Sequence, residues 1–395
     1  MTFEYLKALD HSYTMQTYGR FDVAIDHGTG ATLYGLEGEE YIDFASGIGV
    51  NSVGYAHPKW VKAVADQAGK LAHISNLYYS QPYARLAEEL CTRSGMASAF
   101  FANSGAEANE GMIKLARKYS FDKYGEGRAV VLTLKQSFHG RTITTLAATG
   151  QEVFHQYFFP FTEGFRYPEA GNMDSVRQQD GEDVCAVMLE LIQGEGGVNP
   201  MTADFVSQLA DYCREHDWLL LVDEVQTGIG RTGSLFCFQQ YGIQPDALTF
   251  AKGIAGGMPM SGVLASAKCA HVLGPGTHAT TFGGNPISAA AALAVLEILD
   301  EMGPEEIKAK GEYIRKTVES WKAPCVTGTR GMGLMIGIGV QGEKSHRELA
   351  AQCISKGLLV LTAGKDTIRM LPPLTISYQE IDKGLAILKQ VLCGE

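Results

Sequence analysis

Trp218-Leu219-Leu220-Leu221-Val222-Asp223 and, further on, Ala247-Leu248-Thr249-Phe250-Ala251-Lys252 are the two stretches that decide how this chain folds. The first has no polar alternation, so it reads as a strand buried on both faces, as in a parallel sheet covered by helices. It delivers Asp223 at its carboxyl end, where ligands collect in open parallel sheets. The second delivers Lys252, and the small and apolar residues Gly253-Ile254-Ala255-Gly256-Gly257-Met258-Pro259 follow it. A lysine flanked in this way cannot easily keep its ammonium hydrated. Burial then favours the neutral amine, which attacks carbonyls and makes Schiff bases. Lys252 and Asp223 are therefore a candidate pair for pyridoxal phosphate, one for its aldehyde and one for its ring nitrogen. The plain alternative is an exposed lysine at a strand end.

Outward from these strands, helical and strand patterns alternate, which points to α/β architecture. Phe205, Val206, Leu209, Tyr212 and Cys213 share one helical face ahead of the buried strand. Val184 to Leu189 predicts a second apolar strand and delivers Glu190; Val130 to Leu134 predicts a third. Ala99 to Ala102 predicts a short fourth, followed by a helix carrying Met112, Leu115 and Ala116. Asn285-Pro286 opens an alanine-rich helix to about Met302, and a charged helix runs from Glu305 to Trp321. After it, Met332 to Val340, Leu358 to Thr362 and Thr367 to Leu371 read as short strands of antiparallel character. A last helix runs from about Gln379 to Leu392. The pattern divides the chain into an N-terminal segment 1–45, a large domain 46–285 and a small C-terminal domain 286–395.

The formal net charge is -11 and the pI about 5.4, so no global field draws the molecule toward nucleic acid or anionic lipid. No apolar run approaches the roughly 18 residues that a membrane helix needs, and the first residues carry no secretory pattern. The 8 cysteines are scattered, without a C-x-x-C pair or clustered histidines. They read as reduced thiols of a cytoplasmic protein, with no metal site.

Four further motifs bear on chemistry. In Phe100-Phe101-Ala102-Asn103-Ser104-Gly105-Ala106-Glu107 a strand runs into a helix; Gly105 lets the backbone approach an anion and the first helical N–H groups point at it. That would hold a phosphate monoester, although Ser104 and Glu107 also read as a simple capping box. Ser137-Phe138-His139-Gly140-Arg141 offers an aromatic ring for a flat cofactor and a guanidinium for a carboxylate. Glu190-Leu191-Ile192-Gln193-Gly194-Glu195-Gly196-Gly197 ends a strand with two carboxylates; Glu195 could neutralise an arginine, with Arg369 as the candidate. An exposed arginine, a solvated loop and an edge charge are the ordinary readings of these last two motifs. His57 and His139 are assigned structural or loop roles, since a Schiff-base lysine itself supplies a base.

Gly228-Ile229-Gly230-Arg231-Thr232-Gly233 matches the dinucleotide fingerprint letter for letter and makes a nicotinamide or flavin oxidoreductase the rival reading. Its context disagrees. Five residues, Asp223 to Thr227, separate it from the strand, whereas the fingerprint needs the tight turn at the strand's end.

Taken in order and spacing, these motifs resemble the class III pyridoxal-phosphate aminotransferases of the aspartate aminotransferase fold type, over nearly the whole chain. The resemblance also takes in Thr17-Tyr18-Gly19-Arg20-Phe21, Ser46-Gly47-Ile48-Gly49-Val50-Asn51 and Thr280-Thr281-Phe282-Gly283-Gly284-Asn285-Pro286. It implies fold type I: a large domain with a mostly parallel seven-stranded sheet, and a smaller α+β domain with which the N-terminal segment packs. It implies that Lys252 carries the Schiff base and shuttles a proton, while Asp223 pairs with the ring nitrogen. Ser104, Gly105 and Ala106 would form the phosphate cup, with Thr281 reaching it from the partner subunit of a homodimer. Phe138 and Val225 would sandwich the ring and Gln226 would bond its phenolic oxygen. Tyr18, Arg141, Glu195 and Arg369 would meet substrate. The branch most closely resembled moves the δ-amino group of N-acetylornithine to 2-oxoglutarate, in arginine biosynthesis.

The chain departs from the class pattern at Leu191, where proline is usual, and in having no tyrosine between Ser46 and Asn51. Ornithine δ-aminotransferases carry that tyrosine, so its absence favours an N-acylated ornithine. Free ornithine, succinylornithine and 4-aminobutyrate are the alternative donors. A cofactor-binding regulator or storage protein without turnover is the reading outside catalysis.

Overall fold

A computed structural model describes residues 1–394. At its centre lies a seven-stranded sheet in the order Ser98–Ala102, Ser261–Ala265, Ala247–Phe250, Leu219–Asp223, Val184–Leu189, Val130–Thr133, Phe165–Arg166. Ser261–Ala265 runs antiparallel to both its neighbours, and the other pairings are parallel. Every residue of the three central strands Val184–Leu189, Leu219–Asp223 and Ala247–Phe250 is buried, as their unbroken apolar runs require. Each fully buried Leu or Val there contributes about 1.5–3 kcal/mol. The register then places the chemistry. Val222 pairs with Leu189 on one side and Leu248 on the other, so Glu190, Asp223 and Lys252 emerge at the same edge of the sheet.

Ser261–Ala265 has no counterpart in the sequence reading, because its small residues carry little strand signal. Its fit depends on smallness: a Cβ on Gly262 would stand 2.6 Å from the Phe250 ring. Of the predicted strand 332–340, residues 335–340 form strand Met335–Val340, while Met332 ends a preceding strand, Val326–Met332, that the sequence reading lacks. Gly333 takes a left-handed φ of 52° at the reversal, which glycine adopts without a steric penalty.

The second sheet has the order Val326–Met332, Met335–Val340, Thr367–Met370, Leu361–Ala363, with helices Pro304–Ser320, His346–Ser355 and Tyr378–Cys393. The N-terminal strands Ile25–Thr29, Thr32–Gly35 and Glu40–Asp43 join Leu358–Leu359 in a third sheet, and Glu380 accepts the Ala31 N–H at 2.8 Å. Through these bonds residues 31–43 lie against elements from the C-terminal part of the chain. Helix Pro286–Met302 starts at the proposed division and packs against helices Pro58–Ala68 and Gln81–Ser94.

The glycine motif 228–233 serves this architecture. Arg231 is buried and its Nη1 donates to the carbonyls of Leu334 (3.0 Å) and Pro372 (2.5 Å), so the loop ties the large sheet to the C-terminal part. No helix opens from it toward a pyrophosphate; the next begins at Phe238. The dinucleotide reading has no site here.

Glu224, fully buried beside Asp223, accepts the N–H groups of Cys237 (2.8 Å) and Phe238 (2.7 Å) and the Thr227 hydroxyl (2.8 Å). Burial pushes its carboxyl up to about 7. A carboxyl raised in the folded state stabilises fully below its unfolded value, about 4.3, and that contribution is lost as pH rises through the folded value. Glu224→Gln should therefore flatten the decline of Tm between about pH 5 and about pH 7.5, read by calorimetry. A slope equal to the parent's would show that Glu224 does not titrate in that range.

Candidate active site

The shared sheet edge opens on a cavity of about 460 Å³, lined among others by Lys252, Asp223, Glu190, Val225, Gln226, Phe138, Arg141, Ser104, Gly105 and Ala106. Lys252 begins a short 3-10 turn, Lys252–Ala255, with a left-handed φ of 44°. For a side chain with a Cβ that conformation costs about 1–3 kcal/mol. Burial holds its ammonium pKa below the ordinary range; Arg369 lowers it further, while Glu195 and Asp223 oppose. Its environment thus favours the neutral amine, as the flanking sequence predicts.

Asp223, 3 % exposed, is held from behind. Its Oδ2 accepts from Asn109 Nδ2 at 2.8 Å and from His139 Nδ1 at 2.7 Å, and its Oδ1 accepts the Val225 N–H at 3.0 Å. Asn109 in turn accepts from the Thr249 hydroxyl at 2.9 Å and donates to the His139 carbonyl at 2.7 Å. These donors occupy both carboxylate oxygens and fix the direction of the group. His139 is therefore more than a loop residue: its side chain is fully buried, its Nδ1 carries the proton toward Asp223, and its Nε2 has no partner among the described residues. The sequence offered only weak signals for this relay, namely a polar Asn109 on a buried helical face and a histidine beside Phe138.

Helix Gly105–Tyr124 points its first turn at the cavity. Ser104 caps it, accepting the Glu107 N–H at 3.3 Å and donating to Glu107 Oε2 at 3.0 Å, while Glu107 Oε2 takes the Asn103 N–H at 3.1 Å, so the predicted capping box is formed only in its first half. The N–H groups of Gly105 and Ala106 lie in the first turn and have no intrahelical acceptor. A Cβ on Gly105 would stand 2.8 Å from Val225 Cγ1, so glycine lets this helix start approach the cavity wall.

Two loops complete the wall. Glu190, 6 % exposed, accepts the N–H groups of Phe138 (2.9 Å) and Gly194 (3.4 Å), so it ties the aromatic loop to the Glu195 loop. Burial pushes its carboxyl up to about 7, against the nearby His139. Arg141 stands at the mouth, its guanidinium 4.4 Å from the centroid of Phe154 and 5.7 Å from that of Phe138.

Arg369, 2 % exposed on strand Thr367–Met370, donates from Nη1 to Glu195 Oε1 at 2.7 Å and to Gln226 Oε1 at 3.1 Å. Its Nε has no partner among the described residues. Glu195 keeps 30 % of its side chain exposed, and Arg369 holds its carboxyl below the usual range against the opposing effect of burial. The pair proposed from sequence is thus formed, and Gln226 joins it to the Lys252 cavity. Tyr18 and Thr281 are not brought to this cavity. Tyr18 is 74 % exposed and stacks with Arg20, and Thr281 lies exposed beside Phe282.

A family model described as aminotransferase class-III matches residues 13–392. The chain belongs to the class-III aminotransferases. Among its relatives within that class, the acetylornithine aminotransferase of Haemophilus ducreyi is 48% identical over 393 residues, 99% of each chain. Two solved structures share the fold of this aminotransferase over 100% of its length. The ornithine aminotransferase of Toxoplasma gondii, described with partial occupancy of PLP at its active site, has a TM-score of 0.95 at 30% identity and is covered over 95% of its length. The acetylornithine aminotransferase of Elizabethkingia anophelis has a TM-score of 0.88, also at 30% identity, and is covered completely.

Proposed function

We propose that this class-III aminotransferase uses pyridoxal 5'-phosphate to move the δ-amino group of N-acetylornithine to 2-oxoglutarate, a step of arginine biosynthesis, in the cytoplasm. The observation that carries the chemistry is the placing of a desolvated lysine and a buried, fixed carboxylate at one sheet edge, facing one cavity. The cavity's donor set fits the cofactor: an amine for its aldehyde, a carboxylate for its ring nitrogen and a glycine-lined helix start for its phosphate. Relatives named acetylornithine aminotransferase at 39% to 48% identity support the donor. So does Val50, which lines the cavity from a segment without tyrosine.

Bound there, the cofactor would act as an electron sink for the carbon that loses its proton. The residues do the rest. Lys252, held toward its neutral form, takes a proton from the reacting carbon and returns it. Asp223, fixed by Asn109 and His139, would keep the ring nitrogen protonated. Phe138 and Val225 would hold the ring between them, while Ser104, Gly105 and Ala106 hold the phosphate. Gln226 has its amide oxygen on Arg369, so its reach to the ring's oxygen would use the rest of the amide. Arg141 and Arg369 would take substrate carboxylates.

Glu195 would serve as the cover for Arg369. An ω-amine bears no carboxylate on its reacting carbon and would leave a bare buried arginine, a costly state; glutamate supplies the carboxylate itself. Glu195→Gln should therefore slow the half-reaction with N-acetylornithine, by roughly 10-fold if about 1.4 kcal/mol of pairing is lost, and speed the one with glutamate. Stopped-flow spectroscopy of both half-reactions is the measurement; equal loss in both would make Glu195 a structural loop residue.

A homodimer would bring Thr281 to the phosphate of the neighbouring copy. Thr281 lies next to exposed Phe282, and Leu77, Tyr78 and Tyr79 are exposed in the segment that borders the same loop. The direct test of the whole reading is the visible spectrum of the loaded protein. N-acetylornithine should bleach it faster than ornithine, succinylornithine or 4-aminobutyrate, and 2-oxoglutarate should restore it. Faster bleaching by ornithine would move the donor assignment, and no bleaching would leave a binding protein.

A further inference from the structure

Arg141 is exposed at the mouth of the Lys252 cavity, and among the described residues it makes no hydrogen bond and no ion pair. What holds it is a pair of aromatic rings. The centroid of Phe154 lies 4.4 Å from its guanidinium and that of Phe138 lies 5.7 Å away. Both fall within the roughly 6 Å over which a guanidinium is attracted to a ring face. Phe154 also meets Phe138 edge to face, with centroids 5.8 Å apart and planes at 69°. One side chain thus touches both the ring that would stack on the cofactor and the guanidinium that would take a substrate carboxylate. Phe154 itself stands outside the residues that line the cavity, so it acts through these two.

The backbone fixes where the Phe154 ring stands. Phe154 closes the short 3-10 turn Glu152–Phe154, and its N–H donates to the Gln151 carbonyl at 3.0 Å. Gln151 Nε2 donates in turn to the Ser137 carbonyl at 2.9 Å. One residue earlier, the Gly150 N–H donates to the Ser137 hydroxyl at 3.0 Å, and the Gly150 carbonyl accepts the Gln136 N–H at 2.8 Å. These bonds fasten residues 150–151 to residues 136–137, directly ahead of Phe138 and Arg141. The ring and the guanidinium are therefore carried by two segments that are tied together, and the ring face keeps its place beside Arg141.

The two candidate arginines differ in what they have left to give. Arg369 already donates to Glu195 at 2.7 Å and to Gln226 at 3.1 Å, whereas Arg141 has no acceptor among the described residues. A long arginine side chain free in solvent loses rotamer freedom when it binds a ligand. A ring against its face removes part of that loss beforehand, and the N–H groups, which lie in the guanidinium plane, stay free for a carboxylate. We propose that Phe154 is a positioning residue for the amino donor: its ring holds Arg141 ready for the donor's carboxylate and braces Phe138. This rests on the reading of Arg141 as a carboxylate-binding group.

The probe is N-acetylnorvaline, which has the acyl group and carboxylate of N-acetylornithine but no δ-amine, so it binds without reacting. Calorimetric titration of the holoenzyme should give a Kd roughly 3- to 10-fold weaker in Phe154→Leu than in the wild type, the size of a lost cation–ring contact. Leucine keeps an apolar side chain but has no ring face. Phe154→Tyr restores the face and should bring Kd back to within about twofold of the wild type. In steady state Phe154→Leu should raise KM for N-acetylornithine by a similar factor and change kcat little, since binding is lost equally from ground and transition states. On an Arg141→Ala background the same substitution should add nothing, because the group through which it acts is gone. If the leucine variant folds poorly, Phe154→Met makes the same comparison. An unchanged Kd in Phe154→Leu, equal weakening by leucine and tyrosine, or an additive effect on the Arg141→Ala background would each overturn the inference and leave Phe154 a packing residue. Failure of the wild type to bind the probe would instead sink the reading of Arg141 and the donor on which the inference rests.

Discussion

Lys252→Ala should abolish turnover while the chain still binds pyridoxal phosphate. Replacing the amine removes both the group that would hold the cofactor's aldehyde and the base for the reacting carbon. The lost proton transfer alone is a factor of roughly 10²–10⁴. The proposed phosphate cup at Ser104, Gly105 and Ala106 stands on a separate element, the start of helix Gly105–Tyr124, so phosphate-dependent binding should survive in weakened form. Two measurements check this. Borohydride reduction of the loaded wild-type protein, followed by peptide mapping, should find the cofactor on Lys252; a label on Lys135 or Lys365 would sink the assignment. Fluorescence titration of the variant should show cofactor binding with no bleaching by N-acetylornithine. Stability should hold or improve, because alanine removes a desolvated amine, although the left-handed backbone at φ 44° stays strained.

Asp223→Ala should cost most of the activity and also part of the fold's stability, which separates it from the lysine variant. The carboxylate is the shared acceptor of Asn109 and His139, and both donors are buried. Truncation leaves each without its partner, at about 1–3 kcal/mol per unsatisfied group. The ring nitrogen would lose the charge that keeps it protonated, so reaction should slow at every pH. Asp223→Glu keeps the charge but displaces it by a methylene, and its activity should fall between the two. The measurements are single-turnover rates with N-acetylornithine and Tm for the three proteins. Near-normal transamination in the alanine variant would mean that another group serves the ring nitrogen. A full loss of activity with an unchanged Tm would deny the role given to the Asn109–His139 network.

Much of this was legible in the chain because local chemistry had no competing solution. Apolar runs without alternation must be buried on both faces, so 184–189 and 218–222 announced strands of a covered parallel sheet, each with an acid at its carboxyl end. Lys252 announced itself by its flanks, and Ser104-Gly105-Ala106 by the grammar of a helix start. The motif at Gly228 shows the limit of letters without context. Its glycines match a nucleotide fingerprint, yet they let the buried Arg231 reach Leu334 and Pro372.

What the sequence alone determined is therefore the alternation of elements, the residues at strand ends and the chemical class of the pocket, all of which depend on neighbours a few positions away. Tertiary structure alone decided which distant groups meet. Asp223 draws Asn109 from 114 positions away and His139 from 84, and Arg369 finds Glu195 across 174. No local pattern encodes such pairs. Each follows from the register of the sheet and the packing of helices against it, and a buried charge then accepts whatever donors that packing brings within reach.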